Sequence, residues 1–166
     1  MQLIKACSLA LLFACTLSSC ALQSDFQSQD MTHTGIFTAN SAKSVSVELL
    51  NELNMDNMIE LDLEDISVHY GFNPNFLDDF SVYTSSQEGN ANEIAIFVIE
   101  NENNRQQAFD AIVDKLRFKS QAFSEINIKE YDKFSSNTVT VNDSYIIVAV
   151  SSFPEKVYNI LDNFYK

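Results

Sequence analysis

Seven carboxylates are the densest chemistry in this chain: Asp56, Glu60, Asp62, Glu64 and Asp65, followed by Asp78 and Asp79. Oxygen ligands at that density suit Ca2+, and two carboxylates flanking a bond could hydrolyse it. The spacing favours neither use. The loop pattern D-x-[DN]-x-[DN]-G is missing, and Asp62, just ahead of an apolar-periodic stretch, is better placed as a helix N-cap. A glycosidase pair would also want aromatic sugar platforms, and the chain has no Trp. These acids therefore read as a solvated acidic face. Glu64, Asp65, Asp78 and Asp79 are the first to test if a cleft gathers any of them.

Other reactive side chains are scarce. His33 lies in a polar N-terminal stretch, which leaves His69 as the one histidine of the folded part. Neither H-E-x-x-H nor G-x-S-x-G spacing occurs. His69, beside Tyr70 at the end of a short helix, reads as a surface or capping residue. With only 3 Gly to shape tight loops, the expectation is no catalytic constellation, no metal and no cofactor. Most of the 13 Phe and 6 Tyr fall on apolar stripes and read as core. Tyr83, Tyr131 and Tyr158 are less plainly inward, and serve as half-buried rim residues or as a recognition surface.

The cysteines carry a different message. Cys7, Cys15 and Cys20 all fall at the N-terminal end. Met1–Lys5 bears one positive charge, and Ala6–Leu17 is apolar apart from Ser8 and Thr16. That core is too short to cross a bilayer and has the length of a signal-peptide core. It runs into Leu17-Ser18-Ser19-Cys20, which resembles the lipobox cut by the lipoprotein signal peptidase. The small serines admit the protease, and the Cys20 thiol takes a diacylglycerol thioether. Cleavage before Cys20 leaves no free thiol, hence no disulfide and no thiolate site. Two acyl chains anchor stably where one is marginal. The expected address is the extracytoplasmic face of the cell membrane, held by lipid.

Net charge is −13, and loss of Lys5 with the leader makes it one unit more negative. Such a surface argues against nucleic acid, whose phosphates need Lys/Arg patches, and against lying flat on anionic lipid. Residues 20–43 are rich in Gln, Ser, Thr, Asn and Asp and read as the lipidated cysteine and a flexible tether, with one domain over 44–166.

Within that domain, Val45, Leu49, Leu50 and Leu53 repeat at helical spacing over about Ser41–Asn54. Asp62 to Phe72 predicts a short helix, N-capped by Asp62 and closed by Gly71, with Ile66 and Tyr70 on its inner side. Phe80–Thr84 alternates like a half-exposed strand. Glu93–Glu100 is apolar at every inner position, like a strand covered on both faces. The loop Ser85–Asn92 between them makes a hairpin. A long helix follows Asn101–Asn104, with Phe109, Ile112, Val113, Leu116 and Phe123 on one stripe and Arg105, Asp114, Lys115 and Gln121 off it. Thr138–Val141 and Tyr145–Val150 flank the turn Asn142-Asp143-Ser144. Pro154 then opens a helix with Val157, Ile160, Leu161 and Phe164 inward. Two hairpin–helix units preceded by one or two N-terminal helices predict an α+β domain with a four-stranded antiparallel sheet. The N-terminal helices cover part of its other face.

Asn92-Glu93-Ile94-Ala95-Ile96-Phe97, the Gln-rich helix ending near Phe123, Tyr131, the strand Tyr145–Ser151 and the terminal helix together resemble a family of small bacterial lipoproteins known only as a domain of unknown function. The resemblance covers about residues 44–166. It departs after Tyr131, where Asp132 and Lys133 stand in place of a proline that family members often carry. It implies a lipoprotein with an α+β domain and brings no activity or site.

Two roles follow. The first is a binding or accessory lipoprotein of the envelope, taking an envelope protein or a small ligand as partner. The second is a carboxylate-dependent hydrolase acting on envelope material. The absence of a nucleophile constellation favours the first.

Overall fold

The computed structural model describes residues 36–135 and 138–166. Lipidation at Cys20 and the leader before it lie outside the described residues. Helix α1 (Ala42–Glu52) is opened by a capping box in which Ser41 and Ser44 bond each other's backbone N–H. Strand β1 (Met58–Glu60) follows, then α2 (Leu63–Tyr70). Asp62 caps α2 by accepting from the N–H of Glu64 and of Asp65, and Gly71 closes it in the left-handed conformation at φ 78°. After a single 3-10 turn at Pro74–Phe76 come β2 (Asp79–Ser85) and β3 (Glu93–Val98). The long helix α3 (Glu102–Ile126) is capped by Asn101. Next come α4 (Ile128–Ser135), β4 (Thr138–Asn142), β5 (Tyr145–Val150) and α5 (Pro154–Asp162), the last with Pro in its first turn.

The sheet has five strands, in the order β1-β2-β3-β5-β4, every neighbouring pair antiparallel. This corrects the four-stranded expectation. Met58-Ile59-Glu60 is too short to show alternation, yet it pairs along the outer edge of β2. The four expected strands do form the rest, with the two apolar inner strands β3 and β5 side by side.

The helices also divide differently from the hairpin–helix plan. Even-numbered Ile94 and Ile96 of β3, with Ile147 and Ala149 of β5, pack under Val45, Leu49, Val157 and Leu161, so α1 and α5 share one face. Ala95 and Phe97, with Ile146, Val148 and Val150, pack with Ile66, Tyr70, Ala108, Ile112, Leu116 and Phe134, so α2, α3 and α4 share the other. On α3, Ile112, Leu116 and Phe123 are buried as the stripe predicts and Phe109 is partly buried against them, whereas Val113 is only half-buried and Ala108 and Ser120 are buried instead. The helix runs on to Ile126, and the short α4 that folds back against it had no expected counterpart.

The domain reaches back to Ile36, into the stretch read above as tether. Ile36 N–H donates to the Lys166 carbonyl and Lys166 N–H returns the bond, at 2.9 and 3.1 Å. Phe37 is buried among the rings of Tyr145, Phe164 and Tyr165. The chain therefore enters the fold where β5 begins and β3 ends, since Tyr145 pairs with Val98. Among the described residues no helix is long and apolar enough to cross a membrane.

Candidate functional site

At the opposite end of β3, where Glu93 pairs with Val150, the sheet buries a carboxylate. Glu93 shares the parity of Ala95 and Phe97, so its side chain points under α3 and is fully buried. Four side chains close on it. The Tyr70 hydroxyl donates to Oε1 at 2.7 Å. The Lys115 ammonium donates to Oε1 and Oε2 at 2.7 and 2.8 Å. Lys119, one turn along α3, donates to Oε2 at 2.8 Å and to the Ala91 carbonyl at 3.3 Å. Nε2 of His69 stands 3.9 Å from Oε2, beyond hydrogen-bond reach, with its ring edge-on to Tyr70. Lys115 also lies over the Tyr70 ring, 4.0 Å from its centroid.

An isolated buried carboxylate is too costly to survive ionised. Burial pushes the Glu93 carboxyl up, but the ammonium groups of Lys115 and Lys119 outweigh it and hold the group well below the usual carboxylate range. Burial and the Glu93 charge together raise the Tyr70 hydroxyl well above its ordinary value. Burial, seconded by Lys119, lowers Lys115 to about 8 against the pull of Glu93. The cluster borders solvent: the side chains of Lys115, Lys119 and His69 are 14%, 20% and 32% exposed.

A second ion pair extends it. Lys133 of α4 donates to Glu130 at 2.7 Å and to Oδ1 of Asn92 at 2.7 Å. Glu130 in turn accepts from the Ala91 N–H at 2.7 Å. Burial raises the Glu130 carboxyl, and the Ala91 N–H with Lys133 more than reverses this, so it sits below its ordinary value. The loop before β3 is thus held to α3 and α4 by charge. The neighbourhood departs from the acidic average of the chain. Lys115, Arg117, Lys119, Lys129 and Lys133 are matched by Glu93, Asp114, Glu125, Glu130 and Asp132, so this region is neutral although the whole protein carries −13. Phe118, Ile126 and Ile128 of this segment are exposed large apolar residues.

The acids singled out from the sequence lie elsewhere and do not converge. Asp62 and Asp65 form the capping box of α2. Asp78 accepts from the Glu100 N–H at 2.8 Å, and Asp79 from the Ala42 N–H at 2.7 Å, tying α1 to β2. Glu60 pairs with Lys43, while Asp56 and Glu64 are exposed. Among the described residues no group of three or more His, Cys, Asp or Glu is placed to hold a metal ion. Tyr83 accepts from Lys43, and Tyr131 is half-buried against the α3-side core, as a rim residue would be. His69 is the one sequence candidate that reaches the cluster. It lies at the cluster's edge, where the reading as a plain surface or capping residue had not placed it.

Sequence reasoning passed over Glu93 as a strand boundary and Lys115 as off the stripe. The signal was present. Lys119 falls between Leu116 and Phe123 on the sheet-facing row of α3, where an unpaired lysine has no reason to be. Glu93 opens a strand that is apolar on both faces.

These elements define an α+β domain whose antiparallel sheet is covered on both faces and carries an ionic cluster around the buried Glu93 at one end. Residues 51–151 match the model of the domain of unknown function DUF4358, and the chain belongs to that family. The matched span contains every member of the cluster. No curated protein and no solved structure matches the chain.

Proposed function

We propose that the protein is a lipid-anchored binding or accessory component of the cell envelope, on the extracytoplasmic face. Leu17-Ser18-Ser19-Cys20 after the apolar leader carries the reading. The fold supports it in two ways. The chain enters the domain at the Tyr145 end, so a tether from Cys20 joins the domain at the end opposite Glu93. The Glu93 end is neutral on an otherwise acidic protein and bears the exposed Phe118, Ile126 and Ile128, a composition suited to recognition. The hydrolase reading loses support because Asp62 and Asp65 are spent on capping α2, Asp78 on the Glu100 N–H and Asp79 on the Ala42 N–H. Partners of this class are an envelope protein or a small ligand.

The test is metabolic labelling of intact cells with an alkyne fatty acid. Wild type should be labelled and Cys20→Ala should not; equal labelling of the two proteins overturns the anchor. For the binding role, a photoreactive residue at 118 or 126 should crosslink in cells more than one at Ile36, which lies at the Tyr145 end and is comparably open, at 69% exposure against 75% and 71%. Equal yields at the three positions would remove the Glu93 end from the reading.

A further inference from the structure

The two edges of the sheet are built differently. Strand β1 has three residues, and its last, Glu60, is held by Lys43. A short edge that carries a charge resists pairing with another chain. Strand β4 has neither safeguard. Thr138-Val139-Thr140-Val141-Asn142 pairs with β5 at five consecutive positions without a bulge. All but Asn142 are β-branched, the types that best suit a pleated strand. The chain holds no charge, Pro or Gly from Phe134 to Asn142, although the whole protein carries −13. The direction of the β4 backbone groups follows from the other side of β5. The Ile99 N–H donates to the Ser144 carbonyl at 2.7 Å, so Ser144, Ile146 and Val148 turn their peptide groups toward β3. Tyr145, Ile147 and Ala149 turn theirs toward β4, where they meet Asn142, Thr140 and Thr138. Val139 and Val141 therefore point N–H and C=O away from the sheet, and among the described residues none bonds to them. The Val141 side chain is open as well, at 41% exposure.

We propose that β4 is an association surface for a second copy of this chain, the two strands pairing antiparallel about a two-fold axis at Thr140. The spacing of the open groups selects this occupant. An axis at Thr140 sets Val139 opposite Val141 of the second copy, and Val141 opposite its Val139. Both pairs then exchange N–H···O=C bonds, and no open group of the edge is left over. The two-fold keeps each side chain on its own face of the sheet, so Val141 is covered by Val139 of the second copy. Charge agrees with this choice. Two chains of −13 repel wherever acids face acids, and the uncharged strand lets them meet without that cost. The nearest acid in sequence, Asp143, falls opposite position 137 of the second copy, which is Asn. The two five-stranded sheets become one continuous antiparallel sheet. A seam of five residues is smaller than the roughly 1,000 Å² of a stable complex, so the pairing is weak and depends on concentration.

The experiment uses the full chain in mild detergent, dilute and concentrated. A photoreactive residue at Val141 should give a covalent dimer joined within Thr138–Asn142 of the second copy. One at Ile59 on the β1 edge, comparably open at 48%, should not. In the wild type, amide exchange at Val139 and Val141 should slow about threefold or more on concentration, as bonded amides do. Val141→Pro removes an outward N–H and no bond to β5, and Val141→Lys places a charge on the edge. Each should abolish the dimer with the melting temperature nearly unchanged. Equal dimer yields from positions 141 and 59, or a dimer joined outside Thr138–Asn142, overturn the proposal, as does a variant that still dimerises. Exchange at Val139 and Val141 that is indifferent to concentration overturns it without any variant. In intact cells, a probe at Val141 that joins a different protein and no second copy gives the edge to that protein and overturns self-pairing. None of these results bears on the lipid anchor.

Discussion

One strand, β3, is asked to do two different things by its two faces. Toward α1 and α5 it presents Ile94 and Ile96, and the buried side-chain hydrogen bond that joins α1 to the sheet on this face is neutral, Ser46 to Ser81 at 2.7 Å. Toward α2, α3 and α4 it presents Phe97, Ala95 and then Glu93, where a full negative charge meets Lys115 and Lys119. Apolar burial alone could have closed both faces. A buried ion cluster is seldom more stabilising than apolar residues of the same volume, because desolvating each charge costs as much as the attraction returns. The α1/α5 face therefore reads as built for stability, and the Glu93 end of the other face as built for something stability does not explain.

The sharpest break of that contrast is at Glu93. Glu93→Ala should destabilise the domain by about 4 kcal/mol, since two buried ammonium groups lose their counter-charge. Replacing the cluster as a unit, with Tyr70→Phe, Glu93→Leu, Lys115→Met and Lys119→Met, should bring stability back to within about 1 kcal/mol of wild type or above it. Urea unfolding of both variants measures this, and a quadruple variant as weak as Glu93→Ala would mean that the cluster is structural after all. On the other face, Leu49→Ala should cost about 3 kcal/mol through transfer and cavity terms, and no companion substitution of charged residues should rescue it.

How much of this was legible depends on whether a side chain is decided by its neighbours in sequence or in space. The α2 helix was readable to the residue: Asp62 and Gly71 announce its ends by local hydrogen bonding and backbone freedom. So were the hairpins, the α3 stripe and Pro154, all set by periods of two or 3.6 and by turn chemistry. Strand β1 was missed because three residues hold no period, and only the edge of β2 makes them a strand. The face shared by α1 and α5 was missed because helix placement across a sheet is a long-range matter. The Glu93 cluster draws on α2, β3 and α3, and none of these reveals it alone. The acids that did stand out in the sequence were conspicuous because they were exposed.

A smaller effect separates the cluster from ordinary surface charge. Lys115 titrates near 8 in the folded protein and near its ordinary value when unfolded. Between those values the unfolded chain binds the extra proton, so stability rises with pH. Raising the pH from 7.5 to 9.5 should add about 2 kcal/mol. Lys115→Met should flatten the rise. Above pH 10 Tyr70, whose hydroxyl is raised in the fold, turns the slope downward. At the acid end Glu93 gives a slope of the same sign as Lys115. Its folded pKa is depressed, so its contribution is present above the ordinary carboxylate range and fades as pH falls below it. Denaturation midpoints from about pH 2 to about pH 11 test both arms.

The smallest effect concerns the acids outside the cluster and decides whether they are solvent-facing caps or something more. Asp62 Oδ1 accepts from the N–H of Glu64 and of Asp65 at 2.9 and 3.0 Å, which is a cap's work. Asp62→Ala should therefore cost about 1 kcal/mol, and Asp62→Asn almost nothing, because an amide oxygen accepts the same bonds. A calcium site would behave differently, since the amide keeps the cap but removes a charge that the ion needs. Wild type and Asp62→Asn should show the same melting temperature with millimolar CaCl2 as with chelator. A rise of several degrees with calcium in wild type, absent from Asp62→Asn, would move the Asp56–Asp65 acids from the exposed face into a binding site. It would also give the molecule a second charged centre at the other end of α2 from Tyr70.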